Sequence, residues 1–137
     1  MKLNDLYRYA EVSDIPVISF SMPLSESMSV LYGGSCYVGI DPMKLHSETE
    51  EKEKLAHELG HCATGAFYNK YAACDIRERH ERKADLWAIK MLVPQDELAE
   101  ACLQGYREPW ELAEYFGVTE FFLRNALEFY RNSSILV

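Results

Sequence analysis

Residues 57–61 read His57-Glu58-Leu59-Gly60-His61 and hold two of the four histidines in the chain. Two histidines four apart on an α-helix lie one above the other, so both imidazoles can reach a single metal ion. Glu58 sits at the edge of the same face, where a carboxylate can hold a water beside the ion and take its proton. The pattern points to a metal-dependent hydrolase, with Zn²⁺ as the expected ion and another divalent metal as an acceptable substitute. On the wet side of an ordinary helix the same five residues would do no chemistry. A third ligand converging on the histidines separates the two cases.

A catalytic zinc site takes three protein ligands and keeps one position open. Downstream, Glu78, His80, Glu81 and Asp85 offer suitable atoms. Glu81 and Asp85 are four apart and share a helix face, which lets Glu81 bind the ion while Asp85 accepts the ring N–H of a ligand histidine. Ala84 and Ala88 beside them are small, so this helix can pack closely against the first. Glu81 is the favoured third ligand and His80 the alternative; Glu78, one turn earlier, has no such partner one turn on. In isolation, Arg77-Glu78-Arg79-His80-Glu81-Arg82 also fits an exposed face of paired charges. For an oxyanion formed in metal-assisted hydrolysis, Tyr68, Tyr71, Arg77 and His80 are near in sequence, and nothing selects among them.

These side chains need two helices held side by side. Ser47-Glu48-Thr49-Glu50 reads as a capping box opening the first, which carries Leu55, Leu59 and Ala63 on a core face and ends near Gly65. Gly60 inside it costs about 1 kcal/mol relative to alanine, a cost that close approach of a neighbouring backbone would explain. The second helix spans residues 75–92, with Pro94 beyond its end. Upstream, residues 3–11 have helical spacing, 15–20 read as a strand, and 21–29 as a serine-rich loop. Residues 30–32 and 35–40 form a hairpin around Gly33-Gly34. Shorter helices follow at 95–103, 109–116 and 119–132. The class is α+β: a small antiparallel sheet or hairpin, then a mostly helical core. All 137 residues read as one domain, with a core over about 15–94 and a helical extension over about 95–137.

Charge and cysteine usage narrow the function. A net charge of −8 disfavours attraction to nucleic acid or anionic lipid. No apolar stretch approaches membrane-spanning length, and Met1-Lys2-Leu3-Asn4-Asp5 lacks the pattern of a secretory signal, so a cytoplasmic location is expected. Cys36, Cys62, Cys74 and Cys102 show no C-x-x-C spacing, so reduced thiols are expected, with Cys62 a small core residue. Residues 111–127 have a helix-turn-helix cadence, yet over residues 110–131 Glu111, Glu114, Glu120 and Glu128 outnumber Arg124 and Arg131. Phosphate contacts need the opposite balance. Packing through Leu112, Phe116, Phe122 and Leu127 is favoured over DNA binding, leaving Tyr115, Phe121, Phe129 and Tyr130 for a protein partner.

Glu81-Arg82-Lys83-Ala84-Asp85-Leu86-Trp87-Ala88, running into Met91-Leu92-Val93-Pro94, resembles the second motif of the ImmA/IrrE family of metallopeptidases. The hairpin strand Tyr37-Val38-Gly39-Ile40 leading into Leu55-Ala56-His57-Glu58-Leu59-Gly60-His61 is similar to that family as well. The resemblance covers roughly residues 28 to 94, with two motifs in order at a suitable separation. Trp87 stands where phenylalanine is usual, a departure that bears on packing more than on chemistry. The resemblance implies a gluzincin-like peptidase in which His57, His61 and Glu81 bind the metal, Glu58 is the base, and Asp85 supports a ligand histidine. It also implies an intracellular bacterial setting, often on phages or mobile elements, and action on a helix-turn-helix repressor. Two rivals remain: a regulator whose metal only holds the fold and which inactivates a repressor by contact, and a DNA-binding regulator using the tail.

Overall fold

The computed structural model describes residues 1–69 and 71–134, and among them six helices and three strands are formed. They run α1 (Leu3–Val12), β1 (Val17–Ser19), β2 (Ser27–Tyr32), β3 (Ser35–Ile40), α2 (Glu48–Thr64), α3 (Cys74–Leu92), α4 (Gln95–Leu103), α5 (Pro109–Phe116) and α6 (Glu120–Ser134). The α+β class is as expected.

Gly33 and Gly34 take φ of 60° and 80°, which lets a two-residue turn join β2 to β3. Pairing runs from Tyr32 opposite Ser35 back to Ser27 opposite Ile40. Residues 27–29, expected in a loop, are therefore strand. Buried Asp41 explains this: its carboxylate accepts from the N–H groups of Met22 (2.9 Å) and Met43 (3.1 Å), while its own N–H donates to Glu26 O. The chain before Ser27 is thus tied down next to the end of β3. On the other side of β3, β1 pairs in parallel, giving the order β1-β3-β2 and a mixed sheet. Pro16, without an N–H, sits just before β1 and offers its carbonyl to Val38 N.

At the start of α2, Ser47 Oγ accepts from Glu50 N. The Glu50 carboxylate accepts from His46 N (2.9 Å), one residue earlier than a capping box requires. Leu55 and Leu59 are fully buried, but Ala63 is exposed. Cys62 lies seven residues after Leu55, roughly 20° from it around the helix, and takes the inward place. There it forms a disulfide with Cys36 of β3, their Cα atoms 5.7 Å apart. The expectation of reduced thiols is corrected for this pair: sequence spacing does not reveal which strand lies on the helix. Cys74 and Cys102 are free thiols.

Gly60 lies against Ala84 of α3. A Cβ at Gly60 would stand 2.6 Å from Ala84 O and 3.0 Å from its Cα, so the glycine permits the two helices to meet at this spacing. The tail packs into the same core, with Leu98, Ala101, Leu112, Phe116, Leu123 and Ala126 joining Leu55 and Leu92. Two neighbours on α2 hold it. Lys52 Nζ donates to Phe116 O (2.9 Å) at the C-terminal end of α5, and burial lowers this amine's pKa. The Glu53 carboxylate accepts from Thr119 N (2.6 Å) ahead of α6. Each charge suits the helix end that it meets. Tyr130, expected on the surface, is buried with its hydroxyl donating to Val93 O, and Phe129 is partly buried; Tyr115 and Phe121 remain exposed.

Candidate metal centre

Leu55 and Leu59 fix the roll of α2, and that roll sends His57 and His61 toward α3. Glu81 Oε2 lies 2.8 Å from His57 Nε2 and 3.0 Å from His61 Nε2. The three ligand atoms lie within 4.8 Å of one another. Neither alternative third ligand joins them among the described residues: His80 stacks on Tyr68, and the Glu78 carboxylate meets Cys74 Sγ.

The outer nitrogens of the two rings are both engaged. His57 Nδ1 is 2.7 Å from Asp85 Oδ1, and His61 Nδ1 faces the carbonyl of Ala66. A carbonyl only accepts, so His61 carries its proton on Nδ1; the same holds for His57 against a carboxylate. The two Nε2 lone pairs and Glu81 Oε2 are then turned toward one another. Such a cluster is satisfied by extra ring protons or by one divalent cation among the three atoms, and in that respect the donor set fits a metal ion. The electrostatics follow. Burial works against charge on His57, but the Asp85 hydrogen bond and the charges of Asp85, Glu58 and Glu81 outweigh it and raise the ring's pKa. Burial likewise opposes ionisation of Glu81, while Tyr68 and the two histidines overcome it and lower that pKa.

Glu58 is buried beside His57, and Ser27 Oγ of β2 donates to its Oε2 at 2.7 Å. Two hollows, of about 290 and 500 Å³, share Ser27, His57 and Glu58, so open space runs to both sides of the carboxylate. Tyr68 lines the smaller one and donates to Glu81 Oε1 at 2.7 Å. That hydrogen bond, with burial adding to it, raises the phenol's pKa. Of the four oxyanion candidates, only Tyr68 lines this space; Tyr71 is 82% exposed, and Arg77 is exposed as well. Ser27 and the Ala66 carbonyl were missed in the sequence. Ser27 sat in a stretch read as loop, and a backbone carbonyl has no residue signature.

Two helices at close approach, one bearing His-Glu-x-x-His and the other a glutamate, beside an edge strand, define the metallopeptidase class. The chain belongs to the Peptidase_M78 family, the IrrE N-terminal-like domain, whose match covers residues 10–128. That span reaches from α1 well into α6, further than the paired motifs alone. No curated protein matches the chain.

Proposed function

We propose that this protein is a zinc-dependent endopeptidase that cleaves a helix-turn-helix transcriptional repressor of a phage or mobile element. The convergence of His57 Nε2, His61 Nε2 and Glu81 Oε2 beside the buried Glu58 carboxylate carries the reading. Zn²⁺ held by these three residues would supply Lewis acidity, polarising the scissile carbonyl and acidifying a water. Glu58, oriented by Ser27, takes the proton of the attacking water and delivers it to the leaving amine. Asp85 and the Ala66 carbonyl keep both rings in the tautomer that presents Nε2.

Open space on both sides of Glu58 suits a chain that continues past the scissile bond in each direction. β2 is an edge strand, and its residues Ser27, Met28 and Ser29 line the smaller hollow. An extended segment can add to that edge by main-chain hydrogen bonds and so lie beside the base. Direct binding to nucleic acid is not part of the proposal, since the chain carries net charge −8. One catalytic domain is, with its core over about 15–94 and its extension over about 95–137. So is a cytoplasmic setting, where the Cys36–Cys62 bond meets a reducing thiol pool. No helix among the described residues is long and apolar enough to cross a membrane.

The test incubates zinc-loaded protein with the repressor encoded nearest its gene and reads fragments by mass spectrometry. Wild type yields fragments; Glu58→Gln retains the metal and loses at least about 10²-fold in rate; a chelator abolishes cleavage. Equal cleavage by Glu58→Gln overturns the assignment of the base. A repressor that loses its operator without being cut identifies a regulator acting by contact.

A further inference from the structure

Glu81 divides its two oxygens between different partners. Oε2 faces both Nε2 atoms, at 2.8 and 3.0 Å, whereas Oε1 accepts from the Tyr68 hydroxyl at 2.7 Å. We propose that Tyr68 is a positioning residue of the metal centre, holding Oε1 so that Glu81 presents one oxygen alone to the cation. The inference rests on the metal-site reading above and adds a role that the ligand set by itself does not specify.

A free carboxylate can grip a cation with one oxygen or with both. Two-oxygen binding would fill the place that a four-coordinate catalytic site keeps open for water or substrate. A phenol donating to Oε1 opposes that, because swinging Oε1 onto the cation breaks a hydrogen bond to a charged acceptor, which is among the stronger kinds. The segment bearing Tyr68 is itself anchored. Ala66 N donates to His61 O, and the Ala66 carbonyl meets His61 Nδ1. The Tyr68 ring stacks on His80, with centroids 6.2 Å apart and planes at 23°. Residues 66–68 therefore brace a ligand on each helix: His61 through a carbonyl on α2, and Glu81 through a phenol on α3.

Tyr68→Phe removes the hydroxyl alone, at a ring 39% exposed, so fold and stack are retained; circular dichroism checks this. Zinc affinity is measured by chelator competition, and the coordination number by the visible d–d absorption of the Co²⁺-substituted protein. The variant should bind zinc about 10- to 100-fold more weakly. Its Co²⁺ band should lose intensity, as it does when cobalt passes from four to five ligands. Affinity within about twofold of wild type with an unchanged Co²⁺ band overturns the proposal while leaving the peptidase reading intact. A variant with normal binding and spectrum but lost turnover also overturns it, and places the hydroxyl on substrate. Wild type that binds neither metal overturns the metal-site reading and this inference together.

Discussion

Asp85 shows how much a single side chain outside the cluster of His57, His61 and Glu81 can do. Its Oδ1 is 2.7 Å from His57 Nδ1, although 63% of its side chain is open to solvent. Solvent screens the charge, so its contribution lies in orienting the ring and fixing its tautomer more than in Coulomb energy. Asp85→Ala should lower zinc affinity by about 10- to 100-fold in chelator competition. Asp85→Asn, which keeps an oxygen acceptor, should fall in between. Equal affinities across all three proteins would show that the ring is held by packing alone. The i, i+4 pairing of Glu81 with Asp85 was legible in the sequence, because helical periodicity is local. Ser27 against Glu58 was not, since 31 residues separate them and only the sheet brings them together.

Between α2 and α3, the spacing of the two helices is the variable on which the site depends. Gly60 sits against Ala84 with no room for a methyl group. Gly60→Ala gains about 1 kcal/mol in helix propensity but forces backbone apart, and overpacking of this kind costs about 1–3 kcal/mol. The net expectation is destabilisation of about 1 kcal/mol, read as a melting temperature lower by about 4 °C. Zinc affinity should weaken as well, because α3 carries Glu81 away from the histidines on α2. A variant as stable as wild type with full affinity would show that the helix contact adjusts freely.

At the scale of the whole molecule, a disulfide ties the sheet to the helix that carries His57 and His61. Cys36 and Cys62 are separated by 26 residues, and a loop of that length corresponds to roughly 3–4 kcal/mol in the chain-entropy picture. Against a usual total of about 5–15 kcal/mol, that is a large share. Reduction of the metal-free protein, followed by thermal unfolding, should lower the melting temperature by about 10 °C. No change on reduction, in protein shown by mass to be oxidised beforehand, would mean that the bond contributes nothing to stability. At the same scale, Lys52 and Glu53 couple α2 to the ends of α5 and α6, so the tail is part of the body that carries the site.

The amino-acid order determined whatever short-range periodicity can encode. It set the helices and hairpin, the histidines one turn apart, the carboxylate between them, and a glutamate on a helix able to pack close. Tertiary structure decided what depends on distant segments meeting. It placed Cys36 on Cys62, laid Ser27 on Glu58, turned the Ala66 carbonyl onto His61, and brought the Tyr68 hydroxyl onto Glu81. Ala63 and Tyr130 make the same point: each has a neighbour of similar character, and only the roll of a helix against its packing partner determined which one faces inward.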